Sequence, residues 1–487
     1  MLRKIRIVIA AVFFAGVTLL FLDYTGAVHL WLGWMAKVQF LPAVLAGNMA
    51  VILALLLATL VFGRVYCSVI CPLGIMQDLL AKLNPKRSRY KYRRQLAWLR
   101  YPVWALFVAA MVLGAGSAVA LLDPYGAYGR IAATLLQPIW MWAGNLLAAI
   151  AERLNSYAFY STDVWLKSLP TLIVAVVTLV VIAFLAIRGG RTYCNAFCPV
   201  GTTLSFISRF ALLRVKMDES KCTNCTACSH NCKASCIDVD NHKIDYSRCI
   251  VCGNCLDECK FGALSYGLTL SKKNKPEGVD HSKRAFLAAS AMVAATAVAQ
   301  EGKKVDGGLA PLLDRTAPER QTPLTPPGSV SARHLATHCT SCQLCISSCP
   351  NQVLRPSTKI TTAMQPVMSY ERGYCRPECT RCSQVCPTGA IKKISPKEKS
   401  SLQIGCAKWV AKNCVVLTDG VSCGNCARHC PTQAITMVHA NPQDETSPLI
   451  PSVNETRCIG CGACENLCPA RPFSAIYVEG LEEHHNY

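Results

Sequence analysis

Uncharged apolar stretches dominate the first 190 residues of the chain, and charged residues lie between them. Four stretches approach the roughly 20 residues that a helix needs to cross a bilayer core: 7–22, 41–63, 101–122 and 168–187. They predict an α-helical membrane domain of four transmembrane helices over residues 1–213. A fifth uncharged stretch, 131–151, is also long enough, but Pro138 interrupts it and two tryptophans follow. We expect a re-entrant or interfacial segment there, on the periplasmic side.

Basic residues cluster in the connections next to these stretches. Residues 64–100 contain nine Lys or Arg. Seven more flank the first and last stretches: Arg3, Lys4, Arg6, Arg188, Arg191, Arg209 and Arg214. Because basic loops stay on the cytoplasmic side of a membrane, the N-terminus and both connections are predicted to be cytoplasmic.

A repeat relates the two halves of this domain: RVYCSVICPLG at 64–74 recurs as RTYCNAFCPVG at 191–201. Each copy follows a predicted helix, so the four helices are expected to form two hairpins related by duplication. Asp23 and Asp123 end the first helix of each hairpin. They are candidate proton acceptors, or residues that simply end a helix at the membrane interface.

The pattern changes after residue 213, where two cysteine groups predict an α+β bacterial-type ferredoxin with two [4Fe-4S] clusters over residues 214–270. Each group has three cysteines spaced C-x2-C-x2-C and a fourth after three more residues, a spacing in which the fourth thiolate binds the neighbouring cluster. Zinc is the alternative, which the third cysteine in register argues against. Cys236 remains and is expected to be a buried thiol near a cluster. The first cluster is assigned Cys222, Cys225, Cys228 and Cys259, and the second Cys232, Cys249, Cys252 and Cys255.

Polar and proline-rich sequence at 271–333 marks a linker. Within it, residues 282–300 resemble a twin-arginine export signal, with Lys283 in place of the first arginine and a possible cleavage site after Ala299. The alternative is an amphipathic surface helix. An export signal would place the remainder of the chain in the periplasm.

Four further cysteine groups predict a four-cluster ferredoxin domain over residues 334–487. Cys406 competes with Cys414 for the third group, and Cys414 is preferred because it leaves the shorter gap. The groups are Cys339, Cys342, Cys345, Cys349; Cys375, Cys379, Cys382, Cys386; Cys414, Cys423, Cys426, Cys430; and Cys458, Cys461, Cys464, Cys468.

The paired C-x3-C-P motifs of the repeat supply four more cysteines. Cysteines four residues apart face one side of a helix, so two copies brought together present four thiolates at one place. Cys67, Cys71, Cys194 and Cys198 are therefore a candidate site for a seventh cluster or another thiophilic metal. The alternative is that they are redox-inert thiols at a helix exit ended by proline.

Composition agrees with a chain that is partly in lipid and partly bound to metal: 487 residues include 30 cysteines, and the mean hydropathy is +0.28. The formal net charge of +21 does not indicate nucleic acid, because each cluster with four thiolates carries about −2 and six or seven of them offset about 12 to 14 positive charges. A disulfide framework is excluded by the triplet spacing. No dinucleotide-binding or haem-attachment motif is visible, and no substrate-reducing site is indicated.

Residues 1 to about 270 resemble the membrane polyferredoxins of periplasmic nitrate reductase systems (NapH type), which have relatives (MauN, NosR) in methylamine utilisation and nitrous oxide reduction. The remainder is similar to their periplasmic four-cluster partners (NapG type), so the chain looks like a fusion of the two. By that analogy the outer cysteine groups exchange fourth ligands, Cys349 with Cys468, and so do the inner groups, Cys386 with Cys430.

The resemblance implies a protein that spans the bacterial inner membrane and either oxidises quinol, as a quinol dehydrogenase, or only passes electrons on. Its expected partners are membrane lipid, the quinone pool and a periplasmic reductase or cytochrome, with electrons entering from quinol or a cytoplasmic donor. A different class of function is an assembly or metal-handling factor, similar to the C-x3-C-P polyferredoxin that matures cytochrome oxidase.

Overall fold

The computed structural model describes residues 2–83, 90–156, 158–268 and 315–486. All thirty cysteines lie within these ranges. The segment that resembles an export signal, 282–300, falls outside them.

Helices form the part of the chain that precedes the first ferredoxin. They are α1 (Leu2–Leu22), α2 (Ala27–Leu32), α3 (Trp34–Lys37), α4 (Phe40–Leu45), α5 (Met49–Phe62), α6 (Val65–Val69), α7 (Pro72–Lys82), α8 (Ala97–Val112), α9 (Gly116–Leu122), α10 (Pro124–Ile131), α11 (Gln137–Arg153), α12 (Leu169–Gly189), α13 (Thr192–Ala196) and α14 (Pro199–Ser208).

Three helices in the described residues are long and apolar enough to cross a membrane: α1, α12 and the continuous helix Pro124–Arg153, in which a π-helical turn joins α10 to α11. The predicted stretches 41–63 and 101–122 are each broken in two. Gly47 and Gly114 have positive φ at the breaks and leave α5 and α8 with 14 and 16 residues. The continuous helix also means that 131–151 does not form a re-entrant loop, while an interfacial position for it stays a prediction.

Large apolar side chains cover the outside of these helices. Val8, Leu106 and Val180 are more than half exposed, whereas Phe21 and Ile182, on the inner faces, are buried. An apolar exterior of this kind is typical of helices surrounded by lipid.

The first ferredoxin domain follows α14 directly. Strands β1 and β4 pair in an antiparallel sheet, Leu213 opposite Leu268, and β2 pairs with β3. Its elements are β1 (Leu213–Met217), α15 (Ala227–His230), β2 (Ile237–Asp238), β3 (Lys243–Ile244), α16 (Asn254–Glu258) and β4 (Leu264–Leu268). The amide of Leu212 donates to the carbonyl of Leu60 at 2.9 Å, which ties the domain to the end of α5.

The second ferredoxin domain contains short helices and three two-stranded sheets, β5 with β6, β7 with β10 and β8 with β9. Its elements are α17 (Ala332–His338), α18 (Leu344–Ser347), β5 (Leu354–Pro356), β6 (Pro366–Met368), α19 (Arg381–Val385), α20 (Pro396–Ser401), β7 (Leu402–Trp409), α21 (Val415–Thr418), α22 (Asn425–Arg428), β8 (Ile435–His439), β9 (Leu449–Val453), α23 (Ala463–Asn466) and β10 (Ile476–Asn486).

The two ferredoxin domains lie at opposite ends of α1. Near its N-terminus, Arg3 forms an ion pair with Asp257 of the first domain at 3.2 Å. Just past its C-terminus, the carbonyl of Tyr24 accepts a hydrogen bond from Arg381 of the second domain at 2.9 Å. A helix of 21 residues is about 30 Å long, which is the thickness of a bilayer core.

Glycines on α10 allow the second ferredoxin domain to pack closely against the helices. A Cβ atom at Gly126 would lie 2.6 Å from the carbonyl oxygen of Thr340, and one at Gly129 would lie 2.4 Å from that of Cys342. Both neighbours are backbone atoms, which cannot rotate away. The loop that carries Cys342 is therefore in direct contact with the helix backbone.

This contact predicts that Gly129→Ala loosens the docking of the second ferredoxin domain, at a cost of about 1–3 kcal/mol for overpacking. The matched control is Gly144→Ala, in α11, where a Cβ atom meets nothing within 4 Å. Hydrogen exchange of the amides at 340–345 should become faster in the first variant and stay unchanged in the control. Equal exchange in the two variants would contradict the packing described.

Candidate iron-sulfur sites

Two cavities in the first ferredoxin domain are each lined by four predicted ligands. One is lined by Cys222, Cys225, Cys228 and Cys259. The other is lined by Cys232, Cys249, Cys252 and Cys255. The exchange of fourth cysteines that the spacing predicts is therefore present in the fold, and each set of four thiols is suited to hold one [4Fe-4S] cluster.

A repeated backbone conformation shapes the cysteine loops. In four of the six groups, the residue directly after the second cysteine has a positive φ: Thr226 (58°), Gly253 (76°), Gln343 (64°) and Gly462 (76°). This left-handed residue turns the chain into a short helix that carries the third cysteine. Because a non-glycine residue rarely adopts it, the conformation identifies a loop that is shaped to surround a ligand.

Cys236 is buried beside the second cluster cavity, as expected from the sequence. Its thiol lies 3.5 Å from the Sγ of Cys232. Hydrogen bonding to Cys236 lowers the pKa of Cys232 to about 7 and also lowers the pKa of Cys249. A non-ligating thiol at this position therefore favours the thiolate form of two cluster ligands.

The second ferredoxin domain also places its cysteines in sets of four. A cavity is lined by Cys430 together with Cys458, Cys461 and Cys464. The thiol of Cys386 lies within electrostatic range of the first group, and the neighbouring thiolates add to burial in raising the pKa of Cys345 well above its usual value.

The remaining fourth cysteines follow the same arrangement. Cys349 interacts with Cys375 and Cys382, and Cys468 interacts with Cys426. Adjacent groups therefore exchange fourth ligands, the first with the second and the third with the fourth.

This arrangement corrects the exchange expected from the family resemblance. The predicted pairs, Cys349 with Cys468 and Cys386 with Cys430, are wrong. The physical reason is locality: the nested alternative requires the first and fourth groups to exchange ligands, which closes a much longer loop of chain than an exchange between adjacent groups. The domain thus consists of two consecutive two-cluster units.

Cys406 and Cys414 occupy different surroundings. Cys406 lies on β7, and its thiol donates to the carbonyl of Glu455 at 3.7 Å. Cys414 is buried at the start of α21. The assignment of Cys414 to the third group stays a prediction.

Backbone amides donate to several of the ligand sulfurs. The amides of Ala434, Ala475 and Ala407 lie 3.2, 3.3 and 3.4 Å from the Sγ atoms of Cys430, Cys468 and Cys458, respectively. Such hydrogen bonds stabilise the more negative, reduced form of a cluster and raise its potential.

One ligand sulfur has a side-chain donor as well. Lys399, in α20, is 5% exposed, and its Nζ lies 3.2 Å from the Sγ of Cys375. The same ammonium donates to the carbonyls of Arg376 and Cys379. A buried positive charge is therefore held against one predicted cluster, and sequence spacing alone gave no indication of it.

Removing this charge should lower the midpoint potential of that cluster. A charge-assisted hydrogen bond contributes about 1.5–3 kcal/mol, so Lys399→Met is expected to shift the one-electron potential by on the order of 100 mV toward negative values. The matched control is Lys397→Met, which removes an exposed lysine from the same helix. Redox titration followed by electron paramagnetic resonance measures the shift, and equal spectra and potentials for both variants would remove Lys399 from this role.

The four repeat cysteines come together at a third kind of site. Cys67 and Cys194 lie on α6 and α13, and Cys71 and Cys198 are the residues that precede α7 and α14. All four are buried, and every pair is close enough for the charges of two thiolates to interact. We refer to them as the four-thiol site.

The arginine that opens each repeat crosses to the other copy. Arg191 donates to the carbonyl of Cys67 at 2.6 Å, and Arg64 lies 3.4 Å from the carbonyl of Cys194. Gly74 and Gly201 provide the space, because a Cβ atom at either would clash with the arginine of the opposite copy at 2.4 or 2.8 Å. The repeat thus encodes a two-fold arrangement, and the arginines were the part of the motif that cysteine spacing did not point to.

The two arginines do not have equal partners. Arg191 pairs with Asp78 at 2.9 Å, and Asp78 also pairs with Arg6 and Lys233 at 3.4 and 3.3 Å. These charges hold the pKa of Asp78 well below its usual range, although burial alone would raise it. In the second copy Ser205 stands where Asp78 stands in the first, 127 residues earlier.

Arg64 therefore carries its charge next to thiols. Its Nη2 lies 3.8 Å from the Sγ of Cys67, and its Nε has no hydrogen-bond partner in the described part of the chain. A buried cation without a carboxylate is unfavourable unless an anion is close. Thiolate ligands of an iron-sulfur cluster provide such an anion, so the charges around the four-thiol site fit a bound cluster.

The four-thiol site lies between the two ferredoxin domains. On one side, Arg64 donates to the carbonyl of Ser247, two residues before Cys249, at 2.9 Å. On the other side, Tyr193 lies within electrostatic range of Cys198 and of Arg130, and Arg130 is within range of Cys342. Side chains thus connect both ferredoxins to the thiols between them.

The two candidate proton acceptors act as helix caps. Asp23 accepts hydrogen bonds from the amides of Thr25, Gly26 and Val28. Asp123 accepts from the amides of Tyr125 and Gly126 at the start of α10. These contacts favour the helix-ending alternative for both residues.

All thirty cysteines are free, so the disulfide framework is absent from the described chain. In the same residues, no three His, Cys, Asp or Glu side chains are placed to hold a single metal ion.

Comparison with protein families gives three matches, all to 4Fe-4S domains. A model described as a 4Fe-4S binding domain matches residues 45–90 and 169–218, which contain the two copies of the repeat. A 4Fe-4S dicluster domain matches 338–390 and 421–471, and a second dicluster model matches 245–353. The match at 338–390 contains the first two cysteine groups, and the match at 421–471 contains the fourth group and the last three cysteines of the third, in agreement with exchange between adjacent groups.

Curated relatives are ferredoxin-type proteins. The methylamine utilization ferredoxin-type protein MauM of Methylobacillus flagellatus is 31% identical over 165 residues, 33% of this chain and 70% of that protein. The ferredoxin-type protein NapG of Escherichia coli K12 is 29% identical over 164 residues, 32% of this chain and 71% of NapG. NapF of the same strain is 28% identical over 162 residues, 33% of this chain and 87% of NapF. No solved structure matches the chain.

Fold, cysteine sites and matched domains define an iron-sulfur electron-transfer protein with long apolar helices. The chain belongs to the family of ferredoxin-type 4Fe-4S proteins that includes MauM.

Proposed function

We propose that this protein conducts electrons across the bacterial inner membrane, from quinol or a cytoplasmic donor to a periplasmic reductase or cytochrome. The observation that supports it best is the position of the two ferredoxin domains at opposite ends of α1. Because α1 is about as long as a bilayer core is thick, the domains face opposite compartments when α1 crosses. Each [4Fe-4S] cluster carries one electron at a time, so a series of them can transfer electrons stepwise through the protein.

The orientation follows from charge. The basic connections at 64–100 and 188–214 adjoin the first ferredoxin domain, so that domain is cytoplasmic. The second domain is then periplasmic, which agrees with an export signal at 282–300. The relatives MauM, NapG and NapF support a partner that receives electrons from a ferredoxin-type protein.

Six clusters occupy the ferredoxin cysteines, and the four-thiol site holds a seventh redox centre. The site's two matches to a 4Fe-4S binding domain and the buried arginines beside its thiols support this assignment. Because it lies between the two ferredoxin domains, it would act as the intermediate electron carrier between them. The NapH-type resemblance of the membrane part belongs to the same proposal.

Iron content tests the seventh centre. The full chain should contain about 28 iron atoms with seven clusters and about 24 with six. Cys67→Ser with Cys194→Ser should lower the content by about four and leave the ferredoxin signals unchanged. Cys406→Ser is the control, and it should leave the iron content at its starting value. Unchanged iron in the double variant would return the four thiols to an inert role.

Sidedness is tested with spheroplasts and a protease added outside. The second ferredoxin domain should be removed while residues 222–259 stay protected, because only the former is expected to face the periplasm. A variant with Lys283 and Arg284 changed to Gln should keep both domains inside. Protection of both domains in the unmutated protein would contradict the conduit.

Reduction of the clusters by quinol distinguishes electron transfer from the alternative role in assembly or metal handling. Isolated membranes that contain the chain should show reduction of its clusters when a short-chain quinol is added. Clusters that neither quinol nor a cytoplasmic donor reduces would favour the alternative.

A further inference from the structure

A cavity of about 580 Å³ opens where the helices meet the second ferredoxin domain. Its walls come from the segment after α1, the helix Pro124–Arg153, the segment before α12 and the loop that follows Cys349. The volume lies within the range of small-molecule sites. The cavity is separate from the voids that the ferredoxin cysteines enclose.

This cavity lies at the edge of the membrane that α1 and α12 would cross. It lies at the level where α1 ends and α12 begins, and its lining includes Trp142, Tyr160 and Trp165. Tryptophan and tyrosine concentrate at membrane interfaces, where an apolar ring and a polar edge meet lipid and water. A ligand that enters from lipid and exchanges protons with water fits this location.

One wall of the cavity is apolar and the other is polar. Leu172, Met141 and Pro138 form the apolar wall on the helix side. On the polar wall, Lys167 donates to the Oε1 of Gln137 at 3.2 Å and to the carbonyl of Ile346 at 3.4 Å, and Gln137 donates to the carbonyl of Ser347 at 2.9 Å. An ammonium has three N–H groups, so one remains to donate to a ligand oxygen.

A cluster ligand forms part of the same cavity. Cys349 lines it, and Cys349 interacts with Cys375 and Cys382 of the second group. A molecule in the cavity is therefore in contact with a predicted redox centre. A ligand that binds beside a cluster ligand at the edge of the membrane is expected to be a lipid-soluble electron carrier.

We propose that this cavity is the quinol site and that electrons from quinol enter the chain at the second ferredoxin domain, so that the route across the membrane serves electrons from a cytoplasmic donor. The proposal rests on the proposed function in that quinol is the donor. One quinol loses two electrons and two protons and becomes a quinone. The electrons pass singly to two oxidised clusters of the domain, first at Cys349, and the protons leave to water at the open side, where Asp163 lines the cavity.

A groove at the other end of the helices offers the competing location. It is lined by Arg3, Arg6, Lys82 and Asp78 and lies beside Cys225. With Lys233, five charged side chains line it and make it poorly suited to an uncharged ring. It provides the matched control for the experiment.

The test uses the full chain in membranes and a photoreactive azidoquinone, with decylubiquinone as competitor. The label should appear on peptides from 133–142 or 160–172. Leu172→Trp, which fills the cavity, and Lys167→Met should lower labelling at least tenfold, and Lys167→Arg should restore part of it. Ala11→Trp, which fills the competing groove, should leave labelling unchanged. Unchanged resonance spectra after dithionite reduction establish that the clusters are intact in each variant.

The outcomes distinguish failure of the proposed quinol site from failure of the proposed function. Labelling on 3–14 or 75–82, or loss of labelling in Ala11→Trp alone, overturns this site while quinol still reduces the clusters and the proposed function stands. Labelling that Leu172→Trp and Lys167→Met both leave unchanged also overturns the site. Absence of both labelling and cluster reduction by quinol in the unmutated protein overturns the quinol donor as well.

Discussion

Burial of two crossed arginines is the constraint on which the helical domain depends. Arg64 and Arg191 are fully buried, and each reaches into the opposite copy of the repeat. A buried guanidinium must be paired and hydrogen-bonded, or it opposes folding. Asp78 meets that need for Arg191 by joining α1, α7 and the first ferredoxin domain in one ionic cluster. Arg64 has no carboxylate partner in the described residues, and a cluster bound at the four-thiol site, as proposed above, would supply the missing negative charge through its thiolate ligands.

The sequence predicted the parts of the sites that local spacing determines. Three cysteines at C-x2-C-x2-C must converge on one cluster, and the fold places Cys222, Cys225 and Cys228 together as expected. The destination of the fourth cysteine depends on which loops are neighbours, and there the family analogy misassigned Cys349 and Cys386. Lys399 and the crossed arginines were missed for the same reason, since their partners are distant in sequence.

In the helical domain, too, the sequence predicted local features but not those that depend on backbone conformation or distant contacts. Hydropathy located every apolar stretch, but it did not register Gly47 and Gly114, whose positive φ breaks two of the predicted spans. The continuous helix Pro124–Arg153 was not predicted because a further crossing would have put the two basic connections on opposite sides of the membrane. Pro138 does not end this helix, and the π-helical turn directly before it is where the backbone adjusts. Packing against the second ferredoxin domain, through Gly126 and Gly129, also has no signature in hydropathy.

The length of α1 has a consequence for the flow of charge. Electron tunnelling falls steeply with distance, so ferredoxins held apart by 21 helical residues exchange electrons poorly without an intermediate. The same distance makes an intermediate electron carrier necessary. When the site of that carrier is empty, the distance keeps the two ferredoxins from exchanging electrons. On the proposed function, the buried four-thiol site would therefore control electron flow: when it is filled, electrons could pass between the ferredoxins, and when it is empty, two intact ferredoxins would remain with no path between them.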